Sequence, residues 1–285
     1  MSTFTDQYWQ SPDGLRLHYR DYAGGDGQVP VVCLPGLTRN ARDFAGLAER
    51  LAGDWRVICP EMRGRGDSDY SKNSATYNPM QYVQDLNALF DAIGVDRFVA
   101  VGTSLGGLMT MILAMVDAKR IAGAVLNDIG PVIAPAGLAR IRDYVGQGRN
   151  FPTWMHAARE LQEDHAAAFP DFTIADWLAM AKRVMTLGSN GRVVYDYDMK
   201  IAEPFEAPGG EAGVDLWPGF MALAGRPLLV LRGGLSDLLA ADTLREMAQR
   251  MPEAEVLTVP RVGHAPTLDE PEAVAAITRL LAQVR

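Results

Sequence analysis

Residues 97–107 read RFVAVGTSLGG, an apolar run that ends in the pattern Gly-x-Ser-x-Gly. The run 97–103 is typical of a buried parallel strand, and the mostly apolar residues 105–116 predict a buried helix directly after it. Glycines on both sides of a serine at such a strand-to-helix turn permit a tight corner that exposes the hydroxyl. Ser104 is therefore a candidate nucleophile, although a structural glycine turn with an incidental serine gives the same pattern.

Strand and helix patterns alternate on both sides of this turn. Short runs typical of strands lie at residues 15–21, 29–34, 55–59, 97–103, 121–126, 227–232 and 255–259. The clearest helix starts with Asn78 as its cap and Pro79 in its first turn, and it ends at Gly94. This alternation predicts an α/β protein with a doubly wound, mostly parallel sheet, whose functional residues follow the carboxyl ends of the strands.

The alternation stops between Gly130 and Asp215. Helical patterns rich in Trp, Met, Phe and Arg replace it there, and no run resembles a sheet strand. The segment 203–219 has the Pro and Gly content of a connecting loop, after which the strand and helix pattern resumes. We therefore predict an insertion into a single large domain.

A serine nucleophile needs a neighbouring base, usually histidine, and a carboxylate that fixes the tautomer of the base. Surface or packing roles suffice for His18, His156 and His165, whereas His264 follows the predicted strand 255–259 at the same sheet edge as Ser104. Two acids follow strands at that edge, Asp237 and Asp128. Both acids lie between Ser104 and His264 in the sequence, so either gives the chain order Ser, Asp, His. We favour Asp237 and keep Asp128 as the alternative.

Composition and charge narrow the possible partners. The 285-residue chain has a formal net charge of −8 and no cluster of Lys and Arg, which disfavours binding to nucleic acid. The start of the chain lacks the features of a secretory signal, no apolar run is long enough to cross a membrane, and Cys33 and Cys59 fall inside predicted buried strands. We therefore expect a cytoplasmic protein that acts on a small-molecule substrate. No residue spacing indicates a metal site, and we expect no cofactor.

These motifs resemble the α/β-hydrolase family over nearly the whole chain apart from the insertion. The resemblance implies an eight-stranded sheet with a helical cap after the sixth strand, which divides the chain into a core of residues 1–130 and 216–285 and a cap of residues 131–215. In the family the acid usually follows the seventh strand, which matches Asp237. The backbone N–H groups of Leu105 and, by resemblance, Leu37 would form an oxyanion hole. Pro35 stands where many members have histidine.

The resemblance also narrows the activity. Ser104 stands where dehalogenases and epoxide hydrolases of this fold carry aspartate, so hydrolysis of a small to medium, largely apolar ester or lactone through an acyl-enzyme is the expectation. Two alternatives remain, a carbon–carbon bond hydrolase, disfavoured because Ala265 replaces a frequent tryptophan, and a non-catalytic ligand-binding protein. Apolar cap residues that could line the pocket are Phe151, Trp154, Met155, Trp177, Met180 and Met185, while Arg140, Arg142 and Arg149 could instead bind a substrate carboxylate.

Overall fold

An eight-stranded sheet forms the centre of the computed structural model, which describes residues 3–25, 27–206 and 215–284. Its strands are β1 Phe4–Gln10, β2 Arg16–Tyr22, β3 Val31–Leu34, β4 Val57–Pro60, β5 Phe98–Thr103, β6 Ile121–Asn127, β10 Leu228–Gly233 and β11 Glu255–Val259. The spatial order is β1-β2-β4-β3-β5-β6-β10-β11. β2 alone runs in the direction opposite to the other seven strands, so the predicted mostly parallel sheet is confirmed.

The sequence pattern located every strand of this sheet except β1. Six of the seven residues of β1 are exposed or half-buried, and only Trp9 is buried. A strand with so little apolar alternation resembles a polar loop in the sequence. Its pairing with β2, from Phe4 opposite Tyr22 to Gln10 opposite Arg16, is what makes it a strand.

Burial of the central strands on both faces explains their unbroken apolar runs. In β3, Val32 and Leu34 belong to the hydrophobic layer on one face of the sheet, while Val31 and Cys33 belong to the layer on the other. Successive side chains of a strand point to opposite faces, so both faces must be apolar when helices cover both. The strand ends, free of this packing, are where polar residues can collect.

Helices cover the two faces of the sheet and also form part of the insertion between β6 and β10. They are α1 Ala45–Leu51, α2 Pro79–Ile93, α3 Leu105–Asp117, α4 Pro135–Tyr144, α5 Trp154–His165, α6 Ile174–Val184, α7 Glu203–Glu206, α8 Trp217–Met221, α9 Ala241–Arg250 and α10 Pro271–Val284. As predicted, the Asn78 side chain caps α2 by accepting from the Gln81 amide, and Gly94 ends the helix with φ 66°. Among the described residues no helix is both long and apolar enough to cross a membrane.

The insertion between β6 and β10 contains strands that the sequence analysis did not find. Three short strands, β7 Asn150–Phe151, β8 Met185–Leu187 and β9 Val193–Tyr195, form a separate antiparallel sheet beside the cap helices. Each strand has only two or three residues, too few for an alternating pattern to be recognised. Of the predicted connecting loop, residues 207–214 lie outside the described residues. The proposed core and cap boundaries stay a prediction.

Glycines allow α3 to start very close to the sheet. A Cβ atom added to Gly106 would lie 1.9 Å from the carbonyl oxygen of Leu34 in β3, and one added to Gly102 would lie 2.5 Å from the carbonyl carbon of Gly106. Both obstructing atoms belong to the backbone, which cannot move aside as a side chain can. Glycine at these two positions is therefore required for the turn between β5 and α3.

Replacement of Gly106 by alanine tests this close approach. We expect Gly106→Ala to lower the free energy of unfolding by about 1–3 kcal/mol, because the helix must shift away from β3. Gly148→Ala is the matched control, since its Cβ would meet nothing nearer than Met199 Cγ at 3.8 Å. Thermal unfolding of both variants measures the difference. Equal melting temperatures for Gly106→Ala and the parent protein would contradict the steric argument.

Candidate active site

Ser104 lies at the turn between β5 and α3 in a strained backbone conformation, with φ 52° and ψ −115°. Positive φ is uncommon for a residue with a Cβ atom and persists where the surrounding structure enforces it. Here the amide of Ser104 donates to the carbonyl of Asn127 (3.0 Å), and its own carbonyl accepts from Gly107 and Leu108. The turn therefore fixes the serine at the carboxyl edge of the sheet.

His264 follows β11 and contacts Ser104, as the sequence predicted. Its Nε2 lies 2.9 Å from Ser104 Oγ, and the imidazole side chain is only 10% exposed. Asn127 holds this arrangement from the end of β6, because its side-chain amide donates both to the carbonyl of Pro266 (2.9 Å) and to Thr103 Oγ1 (3.0 Å). One amide thus connects the loop of the histidine with the strand of the serine.

Asp128 is the carboxylate that contacts His264. It follows β6 directly, its side chain is fully buried, and its Oδ2 lies 2.7 Å from His264 Nδ1. A carboxylate can only accept, so this contact places a proton on Nδ1 and leaves Nε2 to accept the hydrogen bond from Ser104. The ring therefore has the tautomer in which Nε2 can take a proton from the hydroxyl.

Two further donors satisfy the buried carboxylate of Asp128. The Gly233 amide donates to Oδ1 (2.8 Å), and the Ser236 hydroxyl donates to Oδ2 (2.6 Å). A buried carboxylate without such partners would be strongly unfavourable. The end of β10 and the loop after it therefore supply the donors for an acid that follows β6.

The sequence-based choice of Asp237 as the acid disagrees with this geometry. Its carboxylate accepts two hydrogen bonds from Arg140, at 2.6 Å from Nε and 2.9 Å from Nη2, and not from His264. The Arg140 guanidinium holds the pKa of Asp237 below its ordinary value. Chain order could not separate the two acids, and the competing arginine comes from the insertion, which has no readable motif.

The other three histidines lie away from this hydrogen-bonded chain. His156, on α5, is exposed and contacts Thr153, whereas His165 lines the cavity next to Ser104, and burial lowers its pKa to about 4. The sequence suggested a surface or packing role for His18. It is fully buried between Asp6 and Glu61. Burial opposes its charged form, but the hydrogen bond to Glu61 leaves its pKa raised.

His18 also belongs to a cluster of possible metal ligands. Donor atoms of His18, Glu61 and Asp67 lie within 4.8 Å of one another. Both ring nitrogens of His18 already contact carboxylates, and Glu61 accepts from the amides of Ala41 and Asp67. Internal hydrogen bonds therefore account for this cluster, and it contributes no group to the Ser104 site.

Two residues were predicted as oxyanion donors, Leu105, which directly follows Ser104 in the chain, and Leu37. Leu105 is the first residue of α3, where amides have no acceptor within the helix. Leu37 lies in the turn after β3 and lines the same cavity as Ser104. Arg65 Nε donates to the Leu37 carbonyl at 2.8 Å and so anchors this turn.

The cavity above Ser104 has a mixed polar and apolar wall. Among the six apolar cap residues that the sequence suggested, only Met180 lines it. Phe151, Trp177 and Met185 are buried in the hydrophobic core of the cap, Trp154 packs against that core, and Met155 is exposed. Apolar surface in the cavity comes instead from residues such as Phe44, Ile141, Leu161, Phe169 and Leu268.

Arginines of the cavity wall are all paired with acids. Arg39 contacts Asp43, Arg140 contacts Asp237, and Arg183 contacts Asp269. Among the three arginines that the sequence suggested as substrate ligands, Arg140 alone lines the cavity. Arg149 pairs with Glu160 and Asp164. The charge of the wall is thus largely balanced within the protein.

The sequence of this chain is similar to those of known hydrolases. A model of the alpha/beta hydrolase family matches residues 31–277. A 3-hydroxybutyrate-oligomer hydrolase of Cupriavidus necator is 36% identical over 273 residues, which cover 93% of this chain and 92% of the relative. A 2-(acetamidomethylene)succinate hydrolase of Mesorhizobium japonicum is 24% identical, with 90% and 89% covered.

A solved structure extends the likeness to three dimensions. The crystal structure of an alpha/beta hydrolase from Novosphingobium aromaticivorans DSM 12444 superimposes with a TM-score of 0.96 at 65% sequence identity, and 99% of each chain is covered. The match over residues 31–277, the eight-stranded sheet and these relatives lead to one conclusion: the chain belongs to the alpha/beta hydrolase family, and it is a hydrolase.

Proposed function

We propose that this hydrolase cleaves a small to medium carboxylic ester or lactone through an acyl-enzyme on Ser104. The observation that carries the proposal is the continuous hydrogen-bonded chain from Ser104 Oγ through His264 to Asp128, with distances of 2.9 and 2.7 Å. A hydroxyl, a base and an orienting carboxylate in this order are what nucleophilic acyl transfer requires. In this proposal Asp128 takes the place that the sequence analysis gave to Asp237.

The proposed reaction has two halves. Ser104 Oγ attacks the ester carbonyl carbon while His264 Nε2 takes the hydroxyl proton, and the imidazolium then gives that proton to the departing alkoxide, which leaves as the alcohol. In the second half His264 takes a proton from water, whose oxygen attacks the acyl carbon. Collapse of this second tetrahedral intermediate releases the carboxylic acid and returns the proton to Ser104.

Two backbone amides would stabilise the negative oxygen of each tetrahedral intermediate. Leu105 would provide one donor, because it begins α3 directly after Ser104 and amides at a helix start have no acceptor within the helix. Leu37, which lines the same cavity as Ser104, would provide the other. Each donor of this kind typically contributes about 3–4 kcal/mol to transition-state stabilisation. The bond from Arg65 to the Leu37 carbonyl supports this role by fixing the turn.

For the substrate, we propose esters of short hydroxy acids. The 36% identical relative is named a 3-hydroxybutyrate-oligomer hydrolase, and the two chains match over more than nine tenths of their lengths. Alternating methyl groups and ester oxygens of such a compound suit a wall that mixes apolar residues with paired polar ones. Ala265, next to His264, is the sequence feature that disfavours carbon–carbon bond cleavage.

Removal of the nucleophile tests the mechanism. We expect Ser104→Ala to lower kcat by about 10⁴ to 10⁶-fold, because no other group can form the acyl-enzyme, and to leave the melting temperature nearly unchanged. A fluorophosphonate probe should label the parent protein at Ser104 and leave the variant unlabelled. Retained turnover in a folded Ser104→Ala protein would remove the nucleophile assignment, and a parent protein without turnover or labelling would favour a ligand-binding role.

The two acids can be separated by conservative amide substitutions. We expect Asp128→Asn to reduce kcat by about 10³ to 10⁴-fold, since an amide at this place no longer fixes the tautomer of His264. Asp237→Asn removes a partly exposed ion pair with Arg140 and should change kcat by less than about tenfold. Steady-state kinetics on one neutral ester compares them, and the reverse ranking would give the role to Asp237.

The charge preference of the cavity can be measured with one matched pair of substrates, the dimer of 3-hydroxybutyrate and its methyl ester. We expect both to be hydrolysed at the internal ester with kcat/KM values within about tenfold of each other, because Arg39, Arg140 and Arg183 are already paired with protein carboxylates. Preference for the free acid by a larger factor would make these arginines substrate ligands. Inertness of both would exclude this substrate class.

A further inference from the structure

The hydroxyl of Ser236 contacts both its own loop and the buried carboxylate of Asp128. Its hydroxyl oxygen accepts from the amides of Leu238 (3.2 Å) and Leu239 (3.1 Å), which stabilises the turn after β10. Its one hydroxyl hydrogen points elsewhere, to Oδ2 of Asp128 at 2.6 Å. That oxygen is the same one that contacts His264 Nδ1. Ser236 and His264 therefore bind the same carboxylate oxygen, the one whose hydrogen bond orients the base.

We propose that Ser236 is a positioning residue that acts on His264 through Asp128. The inference rests on the proposed function and adds a fourth side chain to it. With the Gly233 amide on Oδ1 and the Ser236 hydroxyl on Oδ2, the carboxylate cannot rotate without losing a hydrogen bond on each oxygen. Rotation of the carboxylate would move the acceptor away from Nδ1 and loosen the imidazole.

The cap helix α4 holds the loop of Ser236 in place. The amides of Ala134 and Gly137 donate to the carbonyls of Leu238 (2.9 Å) and Asp237 (3.1 Å), and the Arg140 side chain holds the Asp237 carboxylate. The two residues that follow the serine are thus fixed by the insertion. The position of the hydroxyl over Asp128 follows from that attachment and from β10.

Loss of this donor has two separate consequences for catalysis. The imidazole is held less firmly, which lowers kcat. The hydrogen bond from Ser236 partly compensates the negative charge of the Asp128 carboxylate. Without it, the carboxylate attracts the imidazolium of His264 more strongly. A more strongly bound imidazolium gives up its proton at higher pH, so the acid limb of the pH–rate profile should move upward.

The experiment compares Ser236→Ala, Ser236→Cys and Ser236→Thr with the parent protein on one neutral ester. We expect Ser236→Ala to lower kcat by about tenfold to a hundredfold, with KM little changed, and to raise the midpoint of the acid limb by about half a pH unit. Cysteine, a weak S–H donor, should give the same changes at smaller size, and threonine, which keeps the hydroxyl, should restore the parent profile.

Ser11→Ala is the matched control. Ser11 also donates to a carboxylate at 2.6 Å, that of Asp13, and also accepts from a backbone amide, but it lies in the turn before β2. Its loss should lower the melting temperature without moving the pH profile. If Ser236 had only a structural role, Ser236→Ala would likewise lower the melting temperature without moving the pH profile.

The outcomes separate this inference from the proposed function. Folded Ser236→Ala and Ser236→Cys proteins with the parent kcat and the parent acid limb would overturn the positioning role, even if Ser104→Ala is inactive. If Ser236→Ala does not fold, Ser236→Cys and Ser236→Thr decide the question. Full activity of Ser104→Ala would instead overturn the proposed function itself.

Discussion

The buried carboxylate of Asp128 is the constraint on which the arrangement of the active site depends. It is fully enclosed, and each of its oxygens must therefore find a donor within the protein. The donors are Gly233 at the end of β10, Ser236 in the loop after it and His264 in the loop after β11. The segments that follow β6, β10 and β11 are far apart in the chain. They meet at Asp128 because its buried carboxylate requires hydrogen-bond donors from the other two.

The same requirement determines how the cap is attached. Because the acid Asp128 follows β6, the end of β10 and its loop donate hydrogen bonds to the acid instead of carrying it. Asp237 in the loop after β10 pairs with Arg140 of α4. The first helix of the cap and the support of the acid therefore share one short loop. Asn127 adds a second connection, from the end of β6 to the loop that carries His264.

Much of the fold could be predicted because burial on both faces leaves a clear pattern in the sequence. The central strands, the caps of α2 and the turn at Ser104 all follow from local chemistry. The strands that were missed, β1 and the short strands of the insertion, have little apolar content or too few residues. Placement of His264 beside Ser104 was predictable, since both follow parallel strands. The choice between Asp128 and Asp237 was not, because it depends on contacts of Arg140 and Ser236 that no spacing in the sequence records.

His165 gives the cavity a property that matters for any kinetic study of it. Burial lowers its pKa to about 4, so this second imidazole stays uncharged wherever the protein is assayed near neutrality. Of the two histidines that line the cavity, His264 contacts Ser104, and His165 adds no positive charge beside it near neutrality. In the proposed acyl transfer, the positive charge that His264 gains would therefore meet no second charged imidazole in the cavity.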